Sequence, residues 1–343
     1  FFAGTYFPKK SRYSRIGMIE LVPQIKDLWL TKNDSIINSA DKITNTLINR
    51  NNNRSQKLNI DNNQIFLSAF NNFKKNFDSE YGGFKGSRNK FPKPHDYSFL
   101  IRYYNRTKNI EALNIINKSL YNMKMGGIYD QIGFGFHRYS TDEKWLVPHF
   151  EKMLYDQAML VHAYLDAYLV TKDDFYKDTV DEIIKYVIRD MTSENGGFYS
   201  AEDADSEGEE GLFYIWDKQE IESVINNDED IEFLNSILSI SDEGNCTVEG
   251  HKTNIPHFQY TWKELSNKYN IKDINVIKNK FHNLRSRIFE IRKDRVHPQK
   301  DDKIMTDWNG LMISAIARAG SIFNNKNYLK VAEKSAEFIL NNL

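Results

Sequence analysis

The chain has 343 residues, 46 basic against 47 acidic side chains, 40% hydrophobic and 13% aromatic content, and a formal charge of −1. That balance gives no general attraction to nucleic acid or to an anionic membrane, and no apolar run approaches the about 20 residues that span a bilayer. Cys246, the single cysteine, excludes an intramolecular disulfide and a cysteine-based zinc cluster.

Residues 1–8, ending in Pro8, read as a strand stub. Apolar residues at Ile16, Ile19, Leu21, Val22, Ile25, Leu28 and Trp29 predict a helix over Ile16–Leu30, with Pro23 kinking it or delaying its start. A second helix follows over Asp34–Leu47, and the Asn-rich stretch 49–63 reads as a linker. Then helices alternate with glycine-rich loops. Ile65, Phe66, Ala69, Phe70, Phe73 and Phe77 stripe one helix; Tyr97–Thr107 and Glu111–Met123 form a pair. Phe150, Met153, Leu154, Ala158, Val161, Leu165 and Tyr168 stripe the next helix, and Phe175, Val180, Ile183, Ile184, Val187 and Ile188 stripe its partner. Ile274–Arg292, Asn309–Phe323 and Tyr328–Leu343 complete the helices, with Asp307 placed to cap the one over 309–323.

Gly-Gly followed by Phe or Ile closes a helix at 82, 126 and 196. Glycine adopts the left-handed conformation that ends helices, so the recurrence predicts repeated helical hairpins. Gly211–Trp216 reads as a short strand, hairpinned with Phe198–Ala201. The fold class expected is all-α with small β-hairpins in the loops. No signal-peptide pattern is visible, so a cytoplasmic protein is expected. The start without Met and the end inside an amphipathic helix suggest a piece of a longer protein.

The chemistry concentrates in three stretches. In Gly126–Asp156, Asp130, His137, Arg138, His149, Lys152 and Asp156 are interleaved with Tyr129, Phe134, Phe136, Tyr139 and Trp145. With Pro148 in a first helical turn, His149 and Asp156 would project from one side of a helix. Acids, imidazoles and a guanidinium among flat rings suit a polyol pocket; equally, His149 and Asp156 could pin a helix, with Trp145 in the core. In Glu202–Glu210, Glu202, Asp203, Asp205, Glu207, Glu209 and Glu210 crowd six carboxylates into nine residues. The run imitates the start of a calcium loop, but its twelfth position is Tyr214, not the bidentate Glu required. No metal or cofactor is therefore expected. Crowded carboxylates instead raise one another's pKa, which suits a general acid; a solvated acidic turn is the plain alternative. The third stretch, Asp301–Gly310, adds Asp301, Asp302 and Trp308.

Together Phe2–Pro8, Lys90-Phe91-Pro92, Gly126–Tyr139, Trp145–Asp156, Gly197–Trp216 and Asp301–Gly310 resemble the family of thioredoxin-domain proteins that includes the mammalian spermatogenesis-associated member. The resemblance implies a thioredoxin-like domain followed by an (α/α)6 toroid similar to six-hairpin glycosidases and N-acylglucosamine 2-epimerase. Residues 1–30 would then be the tail of the thioredoxin-like domain, 31–60 a connecting helix and linker, and 61–343 an incomplete toroid. The Cys-x-x-Cys segment would lie upstream of Phe1, so no redox activity is assigned. The missing N- and C-terminal parts of the same protein would be its partners. No phosphate-binding Gly-x-x-x-x-Gly-Lys-[Ser/Thr] loop supports phosphoryl transfer.

Two functions follow as expectations. One is carbohydrate chemistry, either glycoside hydrolysis or sugar epimerisation by acid–base catalysis. Asp130, His137, His149, Asp156, Glu202, Asp203 and Asp205 would be catalytic. Tyr129, Arg138, Tyr139, Trp145, Lys152, Trp216, Asp301, Asp302 and Trp308 would bind a sugar-like ligand. Asp130→Asn and His149→Ala are then expected to abolish turnover at nearly unchanged melting temperature. The other function is a non-catalytic toroid that binds a glycan or protein for an upstream redox domain.

Overall fold

The computed structural model describes residues 7–12, 15–53, 61–86 and 89–342. The strand stub expected at 1–8 falls mostly outside them, and residues 7 and 8 are irregular. Contacts within the chain separate two units, Phe1–Asn62 and Asn63–Leu343.

The first unit carries α1 (Met18–Thr31) and α2 (Asn33–Asn53). Pro23 lies inside α1, which runs through it. The second helix extends into the expected linker as far as Asn53; weak propensity at asparagine does not prevent helix.

The second unit begins with α3 (Asn62–Asn76), α4 (Pro94–Thr107) and α5 (Ile110–Met125). A long loop holds β1 (Tyr139–Ser140), β2 (Pro148–His149) and β3 (Lys152–Met153), and leads into α6 (Leu154–Thr171) and α7 (Asp174–Asp190). Next come β4 (Ala201–Glu202), β5 (Asp205–Ser206), β6 (Glu209–Glu210), α8 (Lys218–Val224), α9 (Asp228–Leu238), β7 (Cys246–Val248) and β8 (His251–Thr253). The last elements are α10 (Trp262–Lys268), α11 (Ile274–Arg292), β9 (Lys300–Asp301), α12 (Thr306–Phe323) and α13 (Lys326–Asn342). The class is all-α with small antiparallel hairpins, as expected.

Position in the arc follows from side-chain pattern. Helix α6 packs between α4 and α12 and is backed by α7; α5 backs α4 and α13 backs α12. An inner helix must be covered on several sides, and α6 has no polar face: Leu160-Val161 and Ala163-Tyr164-Leu165-Asp166-Ala167 are all buried. Its acid there, Asp166, is met by Arg318 of α12. The outer helix α7 instead buries one stripe, Tyr176, Val180, Ile183, Ile184 and Val187. Asn109 and Asp173 cap α5 and α7 by accepting first-turn N–H groups. These inner–outer pairs form part of a two-layered (α/α) ring.

Between α7 and α12 the chain builds a second core. Ile221, Phe233, Leu234, Ile237, Leu265, Ile277, Phe281 and Ile288 join helices α8 through α11. Of these helices the periodicity had marked α11 alone: α8 and α10 span 7 residues each, too short for a 3.6-residue period to register, while the 11-residue α9 also went unmarked.

Several local expectations change. Pro148 and His149 are not helical: Ser140 pairs with Pro148 and Tyr139 with His149 in an antiparallel ladder. The helix starts only at Leu154 because Lys152 and Met153 pair with Glu202 and Ala201. Gly211–Trp216 forms a turn and one bridge from Trp216 to Asn254, while Ala201 pairs with Met153 and Asp301. Asp307 lies in the first turn of α12, whose N-cap is Met305. Gly126 is extended (φ −75°) instead of left-handed. Its small size is what counts, since a Cβ there would stand 2.4 Å from the Trp145 carbonyl oxygen.

The sheet β3–β4–β9, with Lys152 opposite Glu202 and Glu202 opposite Lys300, ties together the starts of α6 and α12 and the exit from α7. It positions the chemistry.

Candidate active site

Successive residues of an extended strand point to opposite sides. Glu151 and Lys152, entering β3, accordingly serve two different clusters.

On the Lys152 side the charges are buried and consumed. Asp130 Oδ1 accepts the Ile132 and Gly133 N–H groups at 3.0 and 2.9 Å and Arg292 Nη1 at 2.8 Å. Its Oδ2 accepts Arg292 Nη2 at 2.9 Å and Lys152 Nζ at 2.8 Å. Burial alone would raise the Asp130 pKa, but Arg292 and Lys152 hold it well below the carboxylate range. Gly133 makes room for this fork, because a Cβ would lie 1.7 Å from Arg292 Nη2. His137 is buried, its Nδ1–H donating to the Phe150 carbonyl at 2.8 Å. Burial, then the Lys152 charge, push its pKa down to about 3. Glu202 Oε2 accepts the Tyr186 hydroxyl at 2.6 Å.

On the Glu151 side the groups are half-exposed and only partly satisfied. Arg138 Nη1 donates to Glu151 Oε2 at 2.8 Å, and His149 Nε2 stands 3.8 Å from the same oxygen. His149 Nδ1 lies 2.7 Å from Glu210 Oε1; that hydrogen bond raises the imidazole pKa against the opposing effect of burial. Tyr139 stacks on His149 with centroids 4.9 Å apart, Phe91 lies 4.8 Å from Tyr139, and Tyr155 meets Trp308 edge-on at 4.8 Å. Asp156, at the N-terminal turn of α6, is 9% exposed, and its Oδ2 has no hydrogen-bond partner. Burial pushes this carboxyl up to about 7, against the nearby Arg138 charge and with help from Glu151.

The expected site residues therefore separate. His149, Asp156, Arg138 and Tyr139 share the Glu151 side, with Trp308 joined through Tyr155. Asp130, His137, Lys152 and Glu202 share the other. Asp203 and Asp205 are exposed, and Asp203 Oδ1 accepts the Ala204 N–H at 2.7 Å. Asp301 pairs with Lys303 at 2.5 Å, and Asp302 is exposed. Tyr129, Trp145 and Trp216 are core residues. Tyr129 donates to Glu182 at 2.9 Å, Trp145 Nε1–H to the Tyr81 carbonyl at 3.0 Å, and Arg295 covers the Trp216 ring at 4.1 Å. Among the described residues no group of three or more His, Cys, Asp and Glu side chains could hold a metal ion. No described helix is long and apolar enough to cross a membrane.

Sequence reasoning passed over Glu151, Tyr155, Glu210 and Arg292 as site residues. Glu151 and Tyr155 flank expected site residues and Glu210 closes the acidic run, so alternation along a strand could have raised them. Arg292, 162 residues from Asp130, carries no local signal.

Residues 1–48 match the Thioredox_DsbH family model, described as a protein of unknown function, DUF255. Spermatogenesis-associated protein 20 of Homo sapiens is 32% identical over 370 aligned positions, covering 99% of this chain and 46% of that protein. An uncharacterized protein of Caenorhabditis elegans is 31% identical, covering 98% of this chain and 49% of its own length. The chain thus spans about half the length of the curated relatives it matches, and is related to them from end to end. Among solved structures, a family 76 glycoside hydrolase from a bovine Bacteroides thetaiotaomicron strain aligns with TM-score 0.41 at 13% identity, covering 73% of this chain and 35% of that one. Cellobiose 2-epimerase from Bacillus thermoamylovorans aligns with TM-score 0.37 at 12% identity, covering 81% and 87%.

Proposed function

We propose that the cluster on the Glu151 side is a proton-transfer site acting on a sugar or a related polyol. The observation that carries this reading is Asp156: a buried carboxyl, with one oxygen left unpartnered, at the inner-helix end where an imidazole, a guanidinium and aromatic rings gather. A carboxyl with a pKa near 7 is half protonated at neutral pH and can give up a proton where an ordinary aspartate cannot. Glu210 orients and strengthens His149 as the complementary base. Arg138 and Glu151 are placed to hold hydroxyls, and Tyr139, Phe91 and Trp308 offer faces for sugar C–H groups.

Glycoside hydrolysis needs two carboxyl groups free to act on one bond. Here Glu151 is engaged by Arg138 and Glu210 by His149, which leaves Asp156 as the free one in the cluster. The arrangement therefore favours proton movement beside a carbonyl, as in epimerisation or isomerisation, over hydrolysis.

The test is proton NMR of the full-length protein with aldoses and disaccharides in D2O. Deuterium should enter the carbon next to the carbonyl, and Asp156→Asn or His149→Gln should slow its entry by about 100-fold or more. Absence of exchange with every sugar offered, by folded full-length protein, would remove the proposal.

A further inference from the structure

Behind β3, on the Lys152 side, lies a separate pocket of about 110 Å³. Lys152, Glu202, Tyr214, Arg292, Arg189 and Tyr186 line it. Three of these residues, Glu202, Tyr214 and Arg292, are each under 5% exposed: 3%, 4% and 3%. Each keeps a buried polar atom with no hydrogen-bond partner: Glu202 Oε1, the Tyr214 hydroxyl and Arg292 Nε. Buried polar atoms without partners are uncommon, because each forfeits its hydration. The three residues line one cavity and are complementary in kind: a carboxylate oxygen asks for a donor, the guanidinium N–H for an acceptor, and the phenol accepts or donates.

The charge balance narrows the guest. Lys152 and Arg292 share one acid, Asp130. Arg189 is paired with Asp190, Lys293 with Glu290, and Lys300 Nζ stands 3.8 Å from Glu202 Oε1, too far for a hydrogen bond. Lys152, Arg189, Arg292 and Lys293 thus line the pocket against Asp190 and Glu202, with Asp130, Glu290 and Lys300 outside the lining, so the wall itself carries an excess of positive charge. An anion lacking a donor would leave Glu202 Oε1 facing like charge; a neutral diol would leave the excess charge uncompensated.

We infer that this pocket binds a small hydroxycarboxylate monoanion, its carboxylate accepting from Arg292 Nε–H and the Tyr214 hydroxyl while its hydroxyl donates to Glu202. The site is independent of the proton-transfer reading, since it lies on the opposite side of β3. Size agrees: the volume equals roughly three or four waters at about 30 Å³ each, the scale of a two- or three-carbon acid.

Calorimetric titration of the full-length protein with glycolate, acetate and ethylene glycol tests this, supported by a crystal structure grown with glycolate. Glycolate should bind saturably, with acetate (no hydroxyl) and ethylene glycol (no charge) each at least about tenfold weaker. Tyr214→Phe keeps the ring that stacks on Phe150 at 5.6 Å and should weaken glycolate about tenfold; Glu202→Gln should narrow the gap between glycolate and acetate. His149→Gln should leave glycolate binding unchanged, which separates failure of this site from failure of the proton-transfer site. Equal affinity for the three compounds, no saturable binding, or density for ordered water alone would overturn the inference.

Discussion

The two sides of β3 use the same residue types to opposite ends. On one side Asp130 accepts five hydrogen bonds and two cations surround it; on the other Asp156 is buried with an oxygen that nothing meets. A carboxylate bound that fully is fixed as an anion and serves as a brace between the loop after α5, β3 and the end of α11. A carboxyl buried with so little compensation keeps its proton and stays available for chemistry. What separates a structural acid from a reactive one here is not burial, which they share, but how many donors accompany it.

The largest effect is expected at Arg292. Arg292→Leu leaves Asp130 and Lys152 buried without their guanidinium and should cost about 3–5 kcal/mol, read as a lower urea midpoint with an unchanged slope. Asp130→Asn should fall in the same direction, so the expectation that it would leave the melting temperature nearly unchanged does not fit five accepted hydrogen bonds.

Asp156 comes next, and its sign is opposite. Its folded pKa of about 7 lies above the ordinary value of 3.8, so the folded state holds the proton longer than the unfolded chain. Its contribution is neutral below about pH 4 and turns increasingly unfavourable as pH rises to about 7. Asp156→Asn should therefore raise stability at pH 8 by on the order of 2–4 kcal/mol relative to its effect at pH 4, while slowing any turnover. Melting curves of both proteins across that range check it; parallel curves would contradict the assignment.

A smaller effect belongs to the His149–Glu210 pair. The raised imidazole pKa supplies stability at pH below the unfolded histidine value, lost as pH rises through the folded one. Glu210→Gln should move the His149 titration, followed by its ring-proton shifts, downward toward about 6.5. The smallest change is expected from Asp203→Asn and Asp205→Asn. Both side chains are exposed, and stability should move by no more than about 0.5 kcal/mol.

The helical hairpins were legible because α4 to α7, α12 and α13 repeat apolar residues at helical spacing over three turns or more. The inner place of α6 was not legible: Ala158, Val161 and Leu165 mark one stripe, and only the burial of Leu160 and Ala163 beside them shows that the helix is covered on other sides too. The strands were not legible, since β1 to β6 span two residues each and owe their pairing to distant loops. Residue types for the two clusters could be read from Gly126–Asp156, but the division between them could not. It depends on Glu151 and Lys152 facing apart in a strand that the apolar spacing had assigned to a helix, and on Arg292 arriving from α11.

The most direct measurement is carbon-13 NMR of the aspartate side-chain carboxyls, titrated from pH 3 to pH 9 with Asp156→Asn and Asp130→Asn for assignment. Asp156 should titrate near 7 while Asp130 stays ionised throughout. An Asp156 midpoint near 4, or an Asp130 that takes up a proton in that range, would contradict it.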